Sequence, residues 1–110
     1  RLLGEARAKG LAFTAEPMSA QQAEDWGLIW KCIEDGQLTY EAHALVEKLA
    51  NGPTLGLALT KAAIQASAVN TLSEQLELEA GYMKTCGKSA DYAEGVSAFL
   101  NKRPPQFKGE

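Results

Sequence analysis

Phe99, Lys102 and Phe107 lie close together in the stretch SADYAEGVSAFLNKRPPQF, which runs from Ser89 to Phe107. Phe99 and Lys102 are three apart, so a continuing helix would carry both on one side. An aromatic face beside a cation suits a ring-bearing, phosphorylated ligand, with the ring on phenylalanine and the phosphate at lysine. Taken alone, the residues favour a plainer account, in which Phe99 belongs to a core and Lys102 complements the helix dipole.

Other chemistry is sparse. The sequence contains no G-x-S-x-G, Walker A, G-x-G-x-x-G or H-E-x-x-H pattern. NGPTLGLALTK has glycines and a lysine but not the phosphate-loop spacing. Glu74, Glu77 and Glu79 read as a solvated helix face, and no catalytic residue is assigned. His43 is the single histidine; with no Cys/His cluster around it, no metal site is expected. Cys32 and Cys86 are the two cysteines, too few for a disulfide scaffold, and both are expected to be reduced thiols.

Composition narrows the class. A chain of 110 residues, 45% hydrophobic, suffices for one domain with a modest core. A net charge of −3 and a pI near 5.2 disfavour nucleic acid as a partner, including a small DNA-binding helical regulator. No apolar run approaches the roughly 20 residues that cross a bilayer, and no secretory leader pattern opens the chain. A cytoplasmic location is expected. Arg1 leads straight into a helical pattern, which reads as a chain entered in its middle.

Six helices are expected to position these residues, placed chiefly by their caps. The first covers about Leu2 to Ala12. The second starts at Ser19, with Gln22 completing a capping box and Gly27 at the C-terminal stop. LIWKCI, from Leu28 to Ile33, is the single strand candidate, and EDGQ reads as a turn around Gly36. The third helix, Leu38 to Ala50, carries one apolar stripe. NGP then leads into a fourth, about Thr54 to Val69, apolar on nearly all sides and so expected to be buried or to form an interface. Thr71 and Glu74 form a second capping box that starts a fifth helix, with Leu72, Leu76, Ala80 and Met83 as its stripe and Gly87 as its cap. Ser89 caps the sixth, where Asp91 and Glu94 favour the N-terminal dipole and Lys102 and Arg103 the C-terminal one, before Pro104 and Pro105. No helical repeat recurs. The expected fold is irregular and all-α, with at most one short strand.

Four segments, in order, resemble the enoyl-CoA hydratase/isomerase (crotonase) superfamily. RLLGEARAKGLAFTAEPMSA and MSAQQAEDWGLIWKCI are similar to a helix and the segment after it. NGPTLGLALTKAAIQAS resembles the family's P-x-a-x-x-x-x-K helix, and SADYAEGVSAFLNKRPPQFKG its terminal block. That last block, with NTLSEQLELE, is most similar to the 1,2-epoxyphenylacetyl-CoA isomerase subfamily of bacterial phenylacetate catabolism.

The resemblance implies that residues 1–110 are the C-terminal helical, oligomerising region of such an enzyme, without its N-terminal β/α spiral. That spiral would supply the oxyanion hole and most acid/base carboxylates, so the chain alone should be inactive while the full-length enzyme is a CoA-thioester isomerase or hydratase. It further implies an acyl-CoA substrate that carries its own CoA, with no separate cofactor, and trimers or hexamers of the full-length protein. CoA contacts would fall to Phe99 near the adenine, Lys102 near the phosphates, and Met83, where some relatives are aromatic. Two rivals stand beside this reading: an enoyl-CoA hydratase of the β-oxidation type, and a helical interaction domain without a ligand.

Overall fold

A computed structural model describes residues 1–110. It contains six α-helices and no strand: α1 (Gly4–Thr14), α2 (Ala20–Asp25), α3 (Asp35–Ala50), α4 (Thr54–Ala66), α5 (Leu72–Cys86) and α6 (Ala90–Leu100). The all-α expectation therefore holds. The chain divides into two units, Arg1–Glu41 and Ala42–Glu110.

In the first unit, α1 begins two residues later than the sequence suggests and runs on to Thr14. Ser19 caps α2, its hydroxyl accepting the Gln22 N–H at 3.1 Å. The reciprocal half of that box is not made; the side chain of Gln21 instead donates to Glu24 and Asp25. Gly27, at φ 74°, ends the helix in a Schellman motif. Its N–H reaches Glu24 O and that of Leu28 reaches Ala23 O, both at 2.8 Å.

This stop explains why the strand expected at Leu28–Ile33 does not form. The N–H groups of Leu28 and Ile29 both bond back to Ala23 O, and no second extended segment offers a ladder. The turn expected around Gly36 is also corrected. Gly36 lies within the first turn of α3, which starts three residues before Leu38, and Gln37 N–H bonds Glu34 O at 2.8 Å. Arg7 sits 4.9 Å over the Trp26 ring, a cation–π contact that ties α1 to the end of α2.

In the second unit, the main helix pairing is α4 with α5. The Thr71 box is complete: Glu74 N–H meets the threonine hydroxyl, and Glu74 accepts the Thr71 N–H at 2.7 Å. These hydrogen bonds, first from the Thr71 N–H and then from its hydroxyl, hold the Glu74 carboxyl below its usual range. Gln75 spans both helices, accepting from Asn70 and donating to Ala63 O at 3.1 Å.

The face of α5 differs from the sequence expectation. Gln75, Leu78, Tyr82 and Cys86 are the part-covered positions, whereas Leu72, Leu76 and Met83 are 77%, 57% and 74% exposed. The apolar stripe is thus the open side of the helix. No residue of α4 is fully buried either, and Ile64 is 67% exposed. Across the chain only Ala23 and Ala98 are buried apolar residues. No helix is long and apolar enough to cross a membrane.

Candidate functional site

The end of α6 is built by local rules. Ser89 caps its start, with its hydroxyl accepting the Tyr92 N–H at 3.1 Å and donating to Cys86 O at 2.7 Å. Tyr92, Val96 and Phe99 then fall on one side at helical spacing. The helix stops in a second Schellman motif: Lys102 N–H bonds Phe99 O at 3.2 Å and Arg103 N–H bonds Ala98 O at 3.0 Å.

The residue that closes this motif is Lys102, at φ 50°. A left-handed residue at a helix end is ordinarily glycine, because a Cβ there approaches the following carbonyl. The shared helix face expected for Phe99 and Lys102 is therefore corrected. Lys102 stands beyond the last turn, and the backbone reversal, not helical spacing, sets where its side chain leaves the chain. It is exposed and its ammonium has no carboxylate partner, unlike Lys9, Lys31 and Arg103.

Phe99 is 82% exposed and lines a largely apolar cavity of about 450 Å³, together with Leu55 and Gly56 of α4, Cys86 of α5, Tyr92, Val96 and Leu100 of α6, and Phe107. Met83 lines a neighbouring cavity of about 320 Å³ between α4 and α5, with Leu59, Ile64 and Tyr82. The two hollows share Gly56 and Cys86. Phe99 and Met83 thus belong to adjacent cavities, and Lys102 lines neither. Cavities of this size and lining accept a flat or extended apolar group with a polar head at the rim.

Two residues carry roles that the sequence did not reveal. Asp91 and Glu94, expected to serve the helix dipole, hold the residues after the prolines. Glu94 accepts from both terminal guanidinium nitrogens of Arg103, at 2.6 and 2.8 Å, and from the Gln106 N–H at 2.7 Å. The Arg103 hydrogen bonds, then that of Gln106, pull the Glu94 carboxyl down from 4.5 to about 2. Asp91 accepts from Lys108 and Gly109. Their i, i+3 spacing was the available signal, yet it reads equally as first-turn charge.

The family model described as enoyl-CoA hydratase/isomerase matches residues 1–110. The chain is 51% identical over 110 residues to the 1,2-epoxyphenylacetyl-CoA isomerase of Escherichia coli K12, covering all of this chain and 42% of that protein. It is 44% identical over 109 residues to a probable enoyl-CoA hydratase of Rhodobacter capsulatus, covering 99% and 42%. A crystal structure of a putative enoyl-CoA hydratase/isomerase from Mycobacterium abscessus superposes with a TM-score of 0.94 at 32% identity, over 99% of this chain and 42% of that one. The chain thus spans about two fifths of the length of these relatives.

Proposed function

Because the chain belongs to the enoyl-CoA hydratase/isomerase family, we propose that it is the C-terminal helical region of an enzyme that isomerises or hydrates CoA thioesters. Its share of the work is to receive coenzyme A and to assemble subunits. The observation that carries this reading is Lys102: a cation held at φ 50°, where glycine would be cheaper, two residues beyond Leu100, which lines the apolar cavity that Phe99 edges. Ala15 is the other left-handed residue with a Cβ, but only Lys102 brings a charged side chain to such a position, which points to a use for that side chain.

In this reading the CoA adenine rests near Phe99, and Lys102 meets the phosphates as a mobile point charge. Met83 offers a thioether to the same ligand from the adjacent hollow. The part of the enzyme outside this chain supplies the oxyanion-hole N–H groups that stabilise the thioester enolate, together with the acid/base carboxylates. No cofactor is needed beyond the CoA that the substrate carries. The finer assignment is isomerisation of 1,2-epoxyphenylacetyl-CoA in phenylacetate catabolism, in the cytoplasm, by a trimer or hexamer. The 51% identity to the Escherichia coli isomerase supports it. The alternative is an enoyl-CoA hydratase, which the Rhodobacter capsulatus relative supports.

The whole enzyme should be assayed with 1,2-epoxyphenylacetyl-CoA and with a straight-chain enoyl-CoA. Preference for the first supports the isomerase, and preference for the second selects the hydratase. Turnover of neither removes the enzyme reading and leaves a helical interaction domain. The 110-residue chain alone should turn over neither substrate, and activity from it would refute the division of labour proposed here.

A further inference from the structure

Asp91 is 4% exposed although it stands in the first turn of α6. Its Oδ1 accepts the Lys108 N–H at 2.7 Å and its Oδ2 the Gly109 N–H at 2.9 Å. Its own N–H donates to Glu110 O at 2.9 Å. Three residues along, Glu94 accepts the Gln106 N–H at 2.7 Å. The chain beyond Pro104 therefore runs back along α6, pinned at two points one helical turn apart.

Phe107 lies between the pins. A Cβ at Gly95 would come 3.5 Å from the Phe107 Cε1, so the ring rests directly on the bare helix backbone there. The same ring walls the cavity that Phe99 edges. Gly109 closes the arrangement at φ 82°, so close to Thr54 that any side chain would meet the threonine hydroxyl.

A short terminal segment ordinarily frays. This one is fastened by backbone donors on buried or paired carboxylates, which are the stronger hydrogen bonds. Its only large apolar side chain goes into the cavity wall.

We propose that Asp91 is a positioning residue: it latches the terminal strap, which seats Phe107 as a wall of the cavity and so fixes the ledge on which Phe99 receives a flat ring. The proposal rests on the reading that coenzyme A meets the chain at Phe99 and Lys102. The latch acts on ligand affinity through Phe107 and has no part in the chemical step.

The test uses the whole enzyme with Asp91→Ala, Gly109→Ala and Phe107→Ala, and Phe99→Ala and Lys102→Ala as references. Amide exchange of the C-terminal segment reads the latch, and titration with free coenzyme A reads the ledge. Asp91→Ala and Gly109→Ala should speed exchange at Lys108 about tenfold or more. Both should raise the Kd for coenzyme A several-fold and raise KM with kcat little changed. Phe107→Ala should raise the Kd equally while Lys108 stays protected. Unchanged exchange in Asp91→Ala overturns the latch. Fast exchange with unchanged Kd, while Phe99→Ala raises it, overturns the positioning role and leaves the coenzyme A reading standing. No change of Kd in any of the five variants overturns both. Should Asp91→Ala not fold, Gly109→Ala and Phe107→Ala decide the matter.

Discussion

Lys102→Gly should make the chain more stable and its ligand binding weaker. A residue with a Cβ in the left-handed region costs about 1–2 kcal/mol relative to glycine, and Lys102 holds φ 50° there. Glycine returns about 0.4–1 kcal/mol of that through its freer unfolded chain. A cation lost from an exposed helix C-terminus costs about 0.3 kcal/mol more. Lys102 forms no ion pair, so little else is lost. The balance is a gain of about 0.5 kcal/mol, or about 2–4 °C in Tm for a domain of this size.

The measurement is a pair of thermal melts and coenzyme A titrations on Lys102→Gly, Lys102→Ala and Ala15→Gly. Ala15, at φ 52°, closes α1 and serves as the control. Ala15→Gly should stabilise without touching affinity. Lys102→Ala should lose affinity about tenfold, as expected for one hydrogen bond to a charged group, without gaining stability. Lys102→Gly should do both. If Lys102→Gly binds coenzyme A like the natural sequence, the strain has no functional counterpart and the reasoning fails.

Three further outcomes are expected. The strap should loosen in acid: the Glu94 carboxyl titrates at about 2 in the fold against 4.5 unfolded, so its contribution is complete above 4.5 and is lost as pH falls from 4.5 towards 2. Glu94→Gln should weaken that dependence in strap amide exchange at Gln106. In the 110-residue chain, Leu78→Ala should lower the urea midpoint clearly, by about 2 kcal/mol in stability, and Leu76→Ala by under about 1 kcal/mol, since only Leu78 is largely covered; equal losses would contradict the assigned face. The same chain should self-associate with concentration by light scattering through its open apolar stripe, Leu72→Glu/Leu76→Glu should reverse this, and a monodisperse monomer of the natural sequence would refute it.

The helix starts set by a side-chain cap were legible from the residues. Ser19, Thr71 and Ser89 each cap a helix as expected, because a cap needs only a side-chain oxygen and an N–H two or three residues on. Gly27 stops α2 for the same local reason. Leu28–Ile33 has strand-forming residues but no ladder partner, so its β character had nothing to act on. The face of α5 was misread because Leu72, Leu76 and Met83 form the better apolar stripe, while the position of α4 decides which side is covered. Of the site, Phe99 was found at a cavity edge, but Lys102 was placed on a helix that ends before it.

The strap marks the boundary between what a sequence pattern carries and what only contacts between distant residues carry. Asp91 to Gly109 is a separation of 18, beyond any helical or turn periodicity. First-turn charge was a sound local reading of Asp91, and it was superseded because a buried carboxylate needs donors that the helix start alone does not supply in that direction. The tail supplies them as backbone N–H groups, with little demand on its side chains. That leaves Phe107 and Gly109 as the tail positions whose identity the geometry constrains, one by the cavity wall and one by its φ of 82° against Thr54. Gln106 and Lys108 contribute backbone hydrogen bonds and should tolerate exchange. Substitution tolerance along these four residues should therefore alternate, free at Gln106 and Lys108 and restricted at Phe107 and Gly109. A uniform tolerance, read as unchanged strap protection in Gly109→Ala and unchanged coenzyme A affinity in Phe107→Ala, would mean that the strap is held by the carboxylates alone.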